Sequence, residues 1–77
     1  MILDKKQATA FAMMIDQLLF AGGSHVEIEI KKEGQTINAS FSADSNFVQL
    51  AAQSKGAPVK RSSYFSPADF RKAYDLK

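Results

Sequence analysis

The alternation of apolar and polar residues between positions 25 and 42 constrains the fold of this chain more than any other feature. Apolar residues recur at every second position on both sides of a central Glu33–Gly34 pair: Val26, Ile28, Ile30, Ile37, Ala39 and Phe41. Such alternation is typical of strands that bury one face and expose the other. With the turn at Glu33–Gly34, Ile30 faces Ile37, and a slip of one residue turns one strand's apolar set to water. The pattern therefore predicts an antiparallel β-hairpin with a fixed register.

A long helix is predicted before the hairpin. Asp4 is a favourable N-cap residue, and Gln7 stands three positions later, where it completes a capping box. Glycines 22 and 23 predict the end of this helix. Its apolar residues spread beyond the usual face of roughly 100°, so one hairpin cannot cover them all. The wide apolar surface of this helix has two interpretations. The helix is either shared between two chains, or it is a central helix wrapped by its own small domain.

The residues assigned to a contact with a second chain or another protein are Phe11, Met13, Met14, Leu18 and Leu19.

The chain after the hairpin predicts three more elements. Residues 43–56 are predicted to form a helix because alanine and glutamine favour one there, with a strand over 47–50 as the alternative. An edge strand is predicted over residues 59–65. Ser66 and Pro67 predict the start of a last helix, as an N-cap followed by proline at the first helical position. The whole chain therefore predicts one α+β domain of 77 residues in the order α-β-β-α-β-α, with an antiparallel, hairpin-based sheet and helices packed on one face.

Composition excludes several kinds of chemistry. The chain has no cysteine, which excludes disulfides, thiolate metal sites and cysteine nucleophiles. Its single histidine, His25, shares the predicted polar face of the hairpin with Glu27 and Glu29. Same-face strand residues are about 6.5 to 7 Å apart, which is awkward for binding one metal ion, so we interpret this group as a solvated sheet face. We expect no catalytic residues, no cofactor and no metal, and therefore not an enzyme.

The apolar segments are too short or too interrupted to cross a membrane. A membrane span needs roughly 18 or more uninterrupted apolar residues, and none is present. Asp16 and Gln17 also interrupt the N-terminal apolar run that would otherwise resemble a secretory signal. We therefore expect a cytoplasmic protein.

Basic residues are concentrated in the last third of the chain. Residues 51–77 hold six basic and two acidic side chains, whereas residues 1–50 hold four basic and six acidic ones. Basic, hydroxyl and aromatic groups together suit phosphate binding. The residues assigned to this candidate anion or nucleic-acid surface are Lys55, Lys60, Arg61, Ser62, Ser63, Tyr64, Arg71 and Lys72.

These features together predict a non-enzymatic binding or regulatory protein that acts through protein–protein contacts. We expect it to form a homo-oligomer, a dimer in the simplest case, and to contact a protein partner whose identity the residues do not reveal. Small accessory or inhibitory factors of the kind that phages and mobile elements encode fit this description by association. The alternative function is a small nucleic-acid-binding module that uses the basic last third.

Overall fold

The computed structural model describes residues 2–56 and 61–76, which form one four-stranded antiparallel sheet and two helices. The strands lie in the sheet in their order along the chain, so each pairs with its sequence neighbours. The α+β class and the antiparallel sheet are confirmed. The elements are α1 (Lys5–Phe20), β1 (His25–Lys32), β2 (Gln35–Ser42), β3 (Phe47–Ser54), β4 (Arg61–Phe65) and α2 (Pro67–Ala73).

The hairpin of β1 and β2 has the register that the apolar pattern predicts. Ile30 pairs with Ile37, and Val26 pairs with Phe41. The turn contains Gly34 in the left-handed region, with φ of 75°, which glycine adopts without the steric penalty of a side chain. The register is therefore confirmed, and one face of both strands is apolar.

The prediction of a helix over residues 43–56 is wrong, because this segment forms strand β3. Val48, Leu50 and Ala52 point to the same side of β3 and are buried opposite apolar residues of β2. Pairing along the open side of β2 hydrogen-bonds the backbone and buries these side chains, and this gain exceeds the local helical preference of residues 51–53. The order is therefore α-β-β-β-β-α; the alternative of a strand at 47–50 describes the first half of β3, which continues to Ser54.

One apolar face of the sheet forms the core together with both helices. The buried cluster combines alternate residues of the strands with residues of α1 such as Ala8 and Ile15 and with Phe70 of α2. Because strand residues alternate between faces, the strand residues of this cluster all lie on one side of the sheet, whereas Ala51, also buried, lies on the other. The other face of the sheet is open to solvent.

Both helix starts have the predicted caps. The Asp4 carboxylate accepts a hydrogen bond from the Gln7 backbone N–H at 2.8 Å, and the Gln7 side chain accepts one from the Asp4 backbone N–H at 3.1 Å. The Ser66 hydroxyl accepts a hydrogen bond from the Asp69 backbone N–H at 3.1 Å, and Pro67 opens α2. The predicted edge strand is present as β4, while its first positions, 59 and 60, lie outside the described residues.

Candidate interaction surface

Helix α1 keeps several large apolar side chains outside the core. Ala8, Phe11, Ala12 and Ile15 face the sheet and are buried. The exposed side chains are Met13 at 56%, Met14 at 38%, Leu19 at 48% and Phe20 at 96% of their full accessible areas. Exposed apolar groups of this size that share one element commonly mark an interaction surface.

Two of the residues that the sequence assigned to this surface belong wholly or partly to the core. Phe11 is fully buried and packs edge-on against Phe70, with ring centroids 6.1 Å apart. Leu18 is half-buried and packs against the core cluster. Phe20, the most exposed of these side chains, was not among the residues predicted from the sequence. Its position as the last residue of α1, two residues before the glycine pair, was the signal that it lies at the exposed end of the helix.

Ion pairs lie along one flank of α1, facing α2 and the residues that follow it. The Arg71 guanidinium contacts the Asp16 carboxylate at 2.6 Å, and the Lys5 ammonium lies 3.8 Å from the Asp75 carboxylate. Met13 lines the groove between the two helices. Met14 is rotated by about 200° from Asp16 around the helix axis, so it lies on the opposite flank.

This opposite flank of α1 adjoins the outer strand β1. Helix α1 contacts β1, whereas α2 contacts β3 and β4. Leu18, one turn after Met14, lies against the link that enters β1, because a Cβ atom added to Gly23 would come within 2.5 Å of the Leu18 Cδ1 atom. The apolar side chains of β1 that face the core, Val26 and Ile28 among them, are only half-buried. Met14, Leu18 and the apolar row of β1 therefore form a continuous strip, which we call the β1-side strip: Met14, Leu18, Val26, Ile28 and Ile30.

The open face of the sheet carries polar side chains that bond mainly to one another. The Asn38 amide donates a hydrogen bond to Glu27 at 2.8 Å, and the His25 ring nitrogen lies 3.3 Å from the other oxygen of the same carboxylate. The Asn38 bond first, and then His25, lower the pKa of Glu27 from its ordinary value. Gln49 donates to the Tyr64 hydroxyl at 3.2 Å. Within residues 2–56 and 61–76, no three His, Asp or Glu side chains are grouped closely enough to hold a metal ion.

The structure divides the predicted anion surface. Along β4, Ser62 and Tyr64 point to the open face of the sheet, because their partners in β3 are on that face. Arg61 and Ser63 point to the helix-bearing side, because they pair with the core residues of β3. The Arg71 guanidinium forms an ion pair with the Asp16 carboxylate of α1. These residues therefore do not form one surface.

Lys55 instead lies near basic residues of the hairpin. Its backbone N–H donates to the Gly34 carbonyl at 2.8 Å, and it lines an open depression of about 380 Å³ with Lys31 and Lys32. Lys72 lies on α2 and does not line this depression, and Lys60 is outside the described residues. Three lysines that are distant in sequence thus meet at the turn end of the sheet, a grouping that the last third alone does not predict.

No protein-family model, curated protein or solved structure matches the chain. In the part of the chain that the structure describes, neither helix has the length and apolar character needed to cross a membrane.

Proposed function

We propose that the protein is a non-enzymatic binding protein that acts through protein–protein contacts and forms a homodimer through α1. The observation that carries the proposal is the exposed apolar area of α1, of which Met14 adjoins the half-buried apolar row of β1, while Met13, Leu19 and Phe20 lie elsewhere on the helix. Covering these side chains removes apolar area from water, which is the main favourable term in association. The cytoplasmic location expected from the sequence forms part of the same proposal.

Methionine suits a surface that adapts to what it contacts. Its unbranched side chain has several rotatable bonds and fills irregular gaps, so Met13 and Met14 can pack against more than one partner shape. A regulatory role, including the accessory or inhibitory role expected from the sequence, would follow if a foreign protein competes for this surface or uses the part that the second copy leaves open.

The open sheet face supports a structural rather than a catalytic role for Glu27. A general acid or base works best with a pKa near the operating pH, which for a glutamate requires a raised value. Glu27 has a lowered pKa because it accepts hydrogen bonds from Asn38 and His25. The carboxylate is thus held in its charged form as part of the sheet surface.

The test is the mass of the protein in solution, with a matched pair of variants. Sedimentation at micromolar concentration should give about twice the chain mass of 8.5 kDa. Met14→Glu should shift the protein to the monomer because it places a charge on the apolar side of α1. Gln17→Glu adds the same charge at an exposed position of the same helix and should leave the dimer intact. A parent protein that sediments as a monomer throughout the range would contradict the proposal.

A second candidate function is nucleic-acid binding, and the grouping of Lys31, Lys32 and Lys55 is the observation that favours it. Such binding would depend on neutralising phosphates and would weaken steeply with salt. A mobility shift at low and high salt tests it. Lys32→Ala and Lys55→Ala should each make the salt dependence shallower, by about 0.9 for every duplex-DNA phosphate that the variant no longer neutralises. Absence of binding by the parent at low salt would dispose of this candidate.

A further inference from the structure

We propose that the dimer is formed by antiparallel pairing of β1 with β1 of a second copy, in the register that places Glu29 of both chains on the two-fold axis. The inference rests on the proposed homodimer and specifies its interface. The two four-stranded sheets then become one continuous sheet. Residues 26–32 of each chain take part, with Glu27 opposite the partner's Lys31.

Strand β1 has a long open edge. It spans His25–Lys32 and lies at one end of the sheet, and within the described residues no strand occupies its outer side. An open edge presents unpaired backbone N–H and C=O groups, which readily pair with another strand. Among the described residues, the opposite edge strand spans only Arg61–Phe65, and a shorter edge offers fewer backbone groups for such pairing. The edge of β1 is therefore the one suited to a second copy.

The apolar side of β1 is also incompletely covered. Val26, Ile28 and Ile30 are half-buried, whereas their partners in β2 are fully buried. A strand added beside β1 would cover this row if its own apolar residues faced the same side. In an antiparallel pair this requires registers in which even-numbered residues oppose even-numbered ones. The proposed register satisfies this condition and sets Ile28 opposite the partner's Ile30.

Charge and paired length together favour one of the allowed registers. With Glu29 on the axis, the two symmetric Glu27–Lys31 pairs are attractive, and the single Glu29 pair is moderated by Lys31 of the same chain, 3.8 Å away. Shifting the axis to Ile28 sets Glu27 opposite the partner's Glu29 twice, which is repulsive. Shifting it to Ile30 sets Glu29 opposite the partner's Lys31 twice, which is also attractive, but it shortens the paired segment from residues 26–32 to residues 28–32.

The same axis brings the two copies of α1 together. Both copies of the sheet carry their helices on the same side in this register, and Met14 and Leu18 lie on the flank of α1 nearest β1. The β1-side strip of one chain therefore meets the same strip of the other, as an isologous interface requires. Edge pairing and the apolar flank of α1 thus belong to one interface.

The test uses reciprocal charge reversal. Glu27→Lys and Lys31→Glu each turn both attractive cross-strand pairs into like-charge pairs, so each variant alone should self-associate about tenfold more weakly than the parent. Mixing the two variants restores opposite charges in both pairs, so a heterodimer should form with about the parent's affinity. Native mass spectrometry distinguishes the heterodimer from the two homodimers.

A control variant and the α1 variant separate the possible failures. Lys72→Glu makes the same charge change as Lys31→Glu, but on α2. It should therefore dimerise like the parent and should not form a heterodimer preferentially with Glu27→Lys. Two weakened variants that fail to recover on mixing, or two variants as strong as the parent, would overturn the edge pairing. If the parent is a dimer that Met14→Glu dissociates but neither charge reversal weakens, only the edge pairing is overturned. If the parent is a monomer, the proposed homodimer is overturned as well.

Discussion

Phe70 is the side chain through which α2 is attached to the rest of the molecule. It is 1% exposed, and its ring packs against Phe11 of α1, Phe65 of β4 and Tyr74 at centroid distances of 6.1, 6.0 and 5.1 Å. The Tyr74 hydroxyl in turn accepts a hydrogen bond from the Leu3 backbone N–H at 3.2 Å. Truncating Phe70 therefore weakens the packing of α2 against both α1 and β4 at once.

The size of the effect follows from burial and from the size of the domain. Phe70→Ala should cost about 3 to 5 kcal/mol, the usual range for a buried phenylalanine. A domain of this size has a net stability of roughly 3 to 5 kcal/mol, so the alanine variant should be largely unfolded at room temperature. Phe70→Leu keeps most of the volume and loses mainly the aromatic pair energies, so we expect its unfolding free energy to fall by about 1 to 2 kcal/mol.

The assay is urea denaturation followed by circular dichroism at one fixed protein concentration, because unfolding of a homodimer depends on concentration. Phe47→Ala is the matched control: Phe47 is 55% exposed and lies outside the proposed dimer surface, so its truncation should lower the unfolding free energy by less than about 1 kcal/mol. Equal losses for the two alanine variants would refute the assignment of Phe70 to the core. An unchanged denaturation midpoint for Phe70→Ala would do the same.

Two further predictions concern local hydrogen bonds. Ser66→Ala should lower the unfolding free energy by about 1 kcal/mol, because the hydroxyl that caps α2 is removed, and an unchanged denaturation midpoint would show that this cap is not formed. The lowered pKa of Glu27 means that its contribution to stability is present above the unfolded-state pKa and is lost as the pH falls through the lower folded-state pKa. Asn38→Ala should raise the pKa of Glu27 toward its ordinary value in an NMR titration, and an unaltered titration would contradict the role assigned to the Asn38 amide.

The parts of the fold that depend on neighbouring residues could be predicted from the sequence. The hairpin register follows from alternation on both sides of a short turn, and each helix start follows from a cap within four residues. The wide apolar face of α1 also predicted exposed apolar side chains, and Met13, Met14 and Leu19 are exposed. Phe11 is buried because α2 packs Phe70 against it, a contact between distant segments that helical periodicity alone does not reveal.

The identity of β3 depended on a distant partner. Within residues 43–56, alanine and glutamine favour a helix, and the alternating residues Val48, Leu50 and Ala52 favour a strand. Pairing with β2 determines the outcome, because Phe41, Ala39 and Ile37 of β2 pack against these alternating residues. Strand preference reflects packing against such neighbours more than an intrinsic tendency of the backbone, so the outcome could not be read from the segment itself.

The same pairing decides which edge of the sheet is open to a partner. A helix over residues 43–56 would have left the outer side of β2 for a short strand or for solvent. In the structure β3 occupies that side from Gln35 to Ser42, and β1 is left with the long open edge. The charged residues of β1 then also affect how β1 can pair with a second copy. On a solvated face, Glu27, Glu29 and Lys31 need no particular order, but on an edge their order favours antiparallel registers that set a glutamate opposite the partner's lysine and disfavours the register centred on Ile28.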